Sequence, residues 1–390
     1  MALTPNITYV IFLIFAGAAL LATFALFTRQ SLLVAYILLG AILGPWGLGL
    51  VSNSETITQA GEIGIIFLLF LLGLDLQPQN LFHSLRKMSL LTLASSLAFF
   101  ALGFGISFCF GYKASECFII GIVTIFSSTI IGIKLLPTTI LHHQHTGELV
   151  VSILLLQDIL AIAVLLTIEI LANRTGSFHH LGLIVSSFPI LFAAAYMFQQ
   201  YILTWLLTRY DQIHEYIFIL SIGWCLCMAE LSHFLGLSEE IGAFIAGVAL
   251  ASHPIASYIA ESLKPLRDFF LVIFFFSIGA TFSFGFIQEV FIASCILGGL
   301  VLFLKPYIFS WLLQRSGELR NVSTEIGVRL GQMSEFSLLV VYTSLETNLL
   351  SPRAAYMAEA AIIMTFIVSC YWTVMRYQTP LAITAKLRRD

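Results

Sequence analysis

Thirteen apolar runs, most of them close to the roughly 20 residues that a helix needs to cross a bilayer, leave this chain of 390 residues almost no length for anything else. Read against Gly, Pro, Asn and charged punctuation, they fall at 6–27, 31–50, 57–75, 89–111, 115–136, 148–172, 180–207, 215–237, 239–254, 267–285, 290–313, 323–346 and 354–376. The second and ninth are short or rich in glycine, as broken helices are. Only 10% of residues are charged, against roughly 25% in a soluble domain, and the mean hydropathy is +0.98. The expected fold is therefore an all-α polytopic membrane protein, which excludes most soluble enzymes. No triad, metal motif or phosphate loop supports an enzyme reading. A net charge of -3 lacks the basic footprint of nucleic-acid binding. The first run has no basic segment before it and no small-residue cleavage site after it, so it reads as a retained span. The six cysteines read as packing residues, because Cys225-x-Cys227 fits neither a zinc knuckle nor a redox pair.

An odd number of spans puts the termini on opposite sides. With the N-terminus outside, fourteen Lys and Arg fall at cytoplasmic ends, Arg329 among them, and three (Lys113, Arg174, Arg353) fall outside. Lys305 is left inside a span. A weak repeat is also visible. Gly40 and Gly247 differ by 207, while Gly73 and Gly279, like Ser128 and Ser334, differ by 206. Spans 1–6 and 8–13 then form two copies that run oppositely through the membrane.

Ionisable residues deep in a span are costly and point to function. Four stand out: Asp158, Lys305, Glu335 and the less central Glu230. In ILLLQDILAIAVLL, Gln157 is the only polar neighbour of Asp158. A carboxylate so poorly hydrated exchanges protons near neutral pH unless a cation compensates it, as a proton-coupled cation carrier requires. The plainer alternative is an ion pair with Lys305 that locks two helices. IFSSTIIG and GQMSEFS interrupt spans 5 and 12 at equivalent positions. Ser127, Ser128 and Thr129 can cap a helix break or supply hydroxyl ligands, with freed carbonyls beside them. Ser334 and Glu335 mark the second break, where Glu335 balances a half-helix N-terminus or pairs with Lys305. Gly40 and Gly44 form a small-residue face for close packing. Asp75 reads as a solvated helix end, and His142, His143 and His145 as a solvated loop.

Taken in order, GPWGLGLV (44–51), EIGIIFLLFLLGLDLQP (62–78), the SST break (127–129), LLLQDILAI (154–162), EEIGAFIAGVALAS (239–252), FFFSIGA (274–280), Lys305 and GQMSEF (331–336) resemble the membrane domain of Kef-type potassium/proton antiporters, of the cation:proton antiporter-2 family. The resemblance implies thirteen helices in two inverted repeats, with spans 5 and 12 as two crossed, broken helices. It implies a scaffold part (spans 1–3 and 8–10) that dimerises and a core (spans 4–6 and 11–13) that moves like an elevator. Residues 1–380 form this one transmembrane domain, and 381–390 a cytoplasmic tail. By position, Asp158 matches the family's ion- and proton-binding aspartate and Lys305 its core lysine.

Sodium/proton relatives carry Asp-Asp where this chain has Gln157-Asp158, and one titratable carboxylate suggests electroneutral exchange of K⁺, or Na⁺, for H⁺. Kef systems also carry a C-terminal nucleotide- and glutathione-binding domain. This sequence shows no strand followed by GxGxxG, so the reading is either no ligand gating or a piece of a longer protein. No cofactor is expected beyond the transported ions. The expected partners are the lipid bilayer, a second copy in a homodimer and a separate regulatory subunit, in a bacterial inner membrane. The rival functions are a gated cation channel, although no TVGYG-like filter is present, and transport of an organic anion with Na⁺, for which Lys305 is thin support.

Overall fold

A computed structural model describes residues 7–28, 30–51, 54–75, 78–137, 145–172, 178–210, 212–251, 253–282 and 284–379. Among these residues the regular elements are helices and no strand is present. In chain order they are α1 (Ile7–Thr28), α2 (Leu32–Leu43), α3 (Ser54–Asp75), α4 (Pro78–Cys109), α5 (Ala114–Ile125), α6 (Thr129–Lys134), α7 (His145–Ala172), α8 (Phe178–Phe198), a π-helical turn (Gln199–Leu203), α9 (Thr204–Arg209), α10 (His214–Phe234), α11 (Glu239–Ala251), α12 (Ala256–Thr281), a short 3-10 turn (Phe284–Phe286), α13 (Ile287–Arg315), α14 (Arg320–Arg329), α15 (Glu335–Glu346) and α16 (Pro352–Arg376). Eight helical segments among the described residues are long and apolar enough to cross a membrane. The count of thirteen spans is not confirmed among the described residues, where α11 has only 13 residues and the twelfth expected span is divided between α14 and α15.

The chain divides into two compact units. Unit 1 comprises residues 1–18, 36–82 and 169–281, and unit 2 comprises 19–35, 83–168 and 282–390. In unit 1, α3 packs against α11 and α12, and α10 against α11. Glycines set the spacing. A Cβ on Gly73 would lie 2.5 Å from the Phe244 carbonyl oxygen, and one on Gly247 2.1 Å from that of Phe70. Likewise a Cβ on Gly40 would meet the Phe276 carbonyl oxygen at 2.0 Å, and one on Gly279 that of Ile37 at 1.9 Å. Backbone therefore touches backbone, as small residues permit between membrane helices. Exchanging the sequence-repeat partners Gly40 with Gly247 and Gly73 with Gly279 turns one of these contacts into the other, which is the mark of an internal two-fold relationship.

In unit 2, α13 packs against α14 and α16, and α15 against α5 and α16. Two helices in this unit are interrupted. After α5 the chain is extended at Phe126, with ψ 147°, and restarts at α6 with Ser128 as N-cap. After α14 it restarts at α15 with Ser334 as N-cap. Each cap hydroxyl accepts a backbone N–H, from Ile131 at 3.1 Å and from Phe336 at 3.1 Å. Serine suits this position because its oxygen replaces the missing carbonyl of the preceding turn.

Candidate functional site

A helix broken inside an apolar body leaves backbone groups that must find partners, and the residues around the two breaks supply them. The Gln157 side chain serves the first break twice. Its Oε1 accepts the Ser127 N–H at 3.0 Å and its Nε2 donates to the Ile125 carbonyl at 3.2 Å. Ser127 Oγ donates to the Leu330 carbonyl at 2.9 Å, stitching the first break to the second. At the second break the Met333 N–H donates to Thr365 Oγ1 at 3.2 Å, and Ser337 Oγ donates to the Val123 carbonyl at 2.7 Å.

Lys305 is fully buried on α13, beside Pro306. Its Nζ donates to the Phe126 carbonyl at 2.6 Å and to the Gln332 carbonyl at 3.1 Å, and it lies 5.1 Å from the centre of the Phe99 ring. Phe126 and Gln332 stand at the same 206-residue offset as Ser128 and Ser334. One ammonium thus holds the equivalent carbonyl of each break. Gly327 brings α14 against the Pro306 backbone, where a Cβ would lie 2.4 Å from the Pro306 carbonyl oxygen. The alternative readings, an ion pair of Lys305 with Asp158 or with Glu335, are not seen among the described residues, where the Lys305 ammonium donates to backbone carbonyls instead.

Asp158, 2% exposed, accepts from Thr129 Oγ1, which lies 3.2 Å from Oδ1 and 3.3 Å from Oδ2. Glu335, also buried, bonds the residue next to Thr129. Its Oε1 accepts the Ile130 N–H at 3.2 Å. Ser334 Oγ reaches its Oε2 at 3.4 Å. Two carboxylates therefore flank the start of α6. Chemically, Asp158 and Thr129 offer oxygen atoms to a monovalent cation or a proton, and Lys305, when protonated, brings a positive charge to the same region.

Asp158, Gln157, Ser127, Ser128, Thr129, Lys305, Ser334 and Glu335 all lie in unit 2 and are brought together. Glu230 is not. It is exposed on α10 in unit 1. His145 is paired with Glu318 at 3.0 Å, His142 and His143 lie outside the described residues, and no group of His, Cys, Asp and Glu suited to a metal ion is found among the described residues. Of the cysteines, Cys117, Cys225 and Cys370 are buried, whereas Cys109 and Cys227 are exposed. Three further participants do not stand out in the sequence. Gln332 holds Lys305 by its carbonyl and accepts from Ser369 Oγ at 2.8 Å, and Thr365 caps Met333. Thr365, Ser369 and Thr373 recur every fourth residue along the last helix, a polar stripe that periodicity alone could have revealed. The third is Arg329, which is 2% exposed within unit 2.

Comparison with known proteins gives a consistent result. The transmembrane sodium/hydrogen exchanger family matches residues 11–375. K(+) efflux antiporter 6 of Arabidopsis thaliana is 28% identical over 336 residues, 83% of this chain and 55% of the relative. The glutathione-regulated potassium-efflux system protein KefC of Shigella sonnei is 29% identical over 375 residues, 90% of this chain and 58% of the relative. The chain thus spans a little over half the length of these relatives. The sodium proton antiporter MjNhaP1 from Methanocaldococcus jannaschii has the same fold, with a TM-score of 0.69 and 16% identity over 93% of this chain and 95% of that one.

Proposed function

The chain belongs to the transmembrane sodium/hydrogen exchanger family and is an integral membrane transporter rather than an enzyme, and from that premise we propose that it exchanges one proton for one monovalent cation, K⁺ rather than Na⁺, with Asp158 as the group for which the two compete. The observation that carries this reading is the contact of the Thr129 hydroxyl with both oxygens of the buried Asp158 carboxylate, at 3.2 and 3.3 Å. When all three groups are ionised, Asp158 and Glu335 contribute two negative charges and Lys305 one positive charge. One negative charge remains, and a single proton or a single monovalent cation neutralises it. Moving a net charge through low-dielectric surroundings is costly, so the loaded, neutral site crosses readily and the empty one does not. That argument favours electroneutral one-for-one exchange.

Thr129 and Asp158 hold the cation, and Glu335 raises the local demand for positive charge. Lys305 and Gln157 keep the breaks open by occupying backbone groups rather than by touching the ion. Ser127 and Ser128 act in the same way, since their hydroxyls are committed to Leu330 and to Ile131. Ser334 caps α15 behind Glu335. The preference for K⁺ rests on the potassium-efflux relatives. Unit 2 contains the whole site, which supports an elevator-type cycle in which that unit carries the ion. A homodimer in a bacterial inner membrane, with the N-terminus outside, belongs to the same proposal. The orientation rests on the Lys/Arg asymmetry of the sequence.

The test is exchange in liposomes with a trapped pH dye, for the native protein and Asp158→Asn. K⁺-driven collapse of the pH gradient by the native protein alone supports the proposal. Collapse by Na⁺ alone transfers the function to sodium/proton exchange, and flux without a counter-gradient points to a channel.

A further inference from the structure

Arg329 ends α14 with its guanidinium buried, and its hydrogen-bond and ring partners among the described residues lie inside unit 2. Its Nε and one terminal nitrogen donate to Glu325 Oε1 at 3.0 and 2.7 Å. The other terminal nitrogen donates to the Leu135 carbonyl at 3.0 Å, while the first also reaches the Gln378 carbonyl at 2.9 Å. Cζ sits 5.6 Å from the centre of the Tyr377 ring. The Glu325 pair compensates the charge. The remaining contacts tie two distant pieces of backbone to one rigid fork.

Those two pieces have different meanings. Leu135 is the C-cap of α6. That helix has six residues, too few to hold its own position, so its place depends on what grips its ends. At one end Thr129 meets Asp158 and the Ile130 N–H meets Glu335, and at the other Arg329 holds Leu135. The distance along α6 is about 9 Å at the rise of an α-helix, so a displacement at Leu135 is felt at Thr129. Arg329 also precedes Leu330, whose carbonyl accepts from Ser127 at the first break. Tyr377 and Gln378, by contrast, lie just past the end of α16.

We propose that Arg329 is a positioning residue through which the segment Tyr377–Gln378 sets the cation affinity of the Asp158 site. This inference rests on the assignment of Asp158 as the exchange site. A guanidinium presents its donors in a fixed plane and cannot give up the Gln378 carbonyl and the Tyr377 face without turning at Leu135. A movement of the segment after α16 is thereby passed to α6, and from α6 to Thr129. A lysine, with a single nitrogen, cannot reach Glu325, Leu135 and Gln378 together.

The experiment measures the K⁺ dependence of exchange in liposomes for native protein, Tyr377→Ala, Arg329→Lys, the two combined, and Asp158→Asn. Tyr377→Ala is expected to raise the half-saturating K⁺ concentration about three- to tenfold, the range expected from losing one desolvated cation–aromatic contact, with the maximal rate retained. Arg329→Lys should shift it at least as far, and the combined variant no further than Arg329→Lys alone. Unchanged half-saturation in Tyr377→Ala, or shifts that multiply in the combined variant, overturns the proposal. If Arg329→Lys fails to accumulate, Tyr377→Ala decides the question by itself. Exchange that persists in Asp158→Asn marks failure of the underlying site assignment instead.

Discussion

Phe126 and Gln332, equivalent residues of two helix breaks, direct their carbonyls at one ammonium, that of Lys305, at 2.6 and 3.1 Å. Charged hydrogen bonds of this kind contribute about 1.5–3 kcal/mol each, and the acceptors left behind in an apolar interior add a desolvation cost. Lys305→Met should therefore lower thermal stability in detergent by the equivalent of about 3–5 kcal/mol. Lys305→Gln, which keeps one donor, should lose less. Thermal unfolding followed for the three proteins checks this order, and equal stability of Lys305→Met and the native protein would refute the role given to Lys305.

Thr129 is the hydroxyl on Asp158. Thr129→Ala should weaken cation dependence about three- to tenfold, the worth of one hydrogen-bonding oxygen, and Thr129→Ser should restore it. The measurement is half-saturating K⁺ concentration at fixed pH, with maximal rate as the control.

Gln157 uses both ends of its amide on the first break. Gln157→Glu preserves shape and the acceptor but loses the donor to Ile125 and adds a buried charge. It is expected to cost at least about 1–3 kcal/mol of stability and to alter the charge moved per cycle, read as a new dependence of exchange on membrane potential.

The glycine contacts of unit 1 admit no side chain. A β-carbon at position 247 would lie only 2.1 Å from the Phe70 carbonyl oxygen, so Gly247→Val should abolish accumulation of folded protein. Gly105→Ala meets nothing within 4 Å and should be tolerated. Yield of monodisperse protein after extraction distinguishes the two.

Much of this architecture is legible because charge is rare in an apolar chain. Asp158, Lys305 and Glu335 stand out by isolation, and the serine-rich interruptions mark both breaks. The glycine offsets indicate a repeat, and the contacts of Gly40 with the Gly279 turn and of Gly73 with Gly247 give that offset its spatial meaning. What the residue string conceals is the identity of backbone partners, since a carbonyl carries no sequence signature. A carboxylate partner for Lys305 is thus one of the alternatives open in the sequence, whereas the ammonium binds a carbonyl at each of the two breaks. Arg329 counts among the residues at cytoplasmic ends in the sequence because a basic residue a few positions into a span reads as a helix end. Only packing reveals that Glu325 and three backbone or ring partners enclose it. Glu230 misleads for the opposite reason. Depth along a helix says nothing about which face a side chain occupies, and Glu230 lies on the exposed one.

Competition at Asp158 is tested most directly by counting protons released per K⁺ bound, with purified native protein titrated in weakly buffered solution and Asp158→Asn as the comparison. The predicted result is release that approaches one proton per cation as the pH is lowered and the carboxylate enters the titration already protonated, with no release from Asp158→Asn. Cation binding by the native protein without proton release, or undiminished release from Asp158→Asn, would contradict a shared site for the two ions.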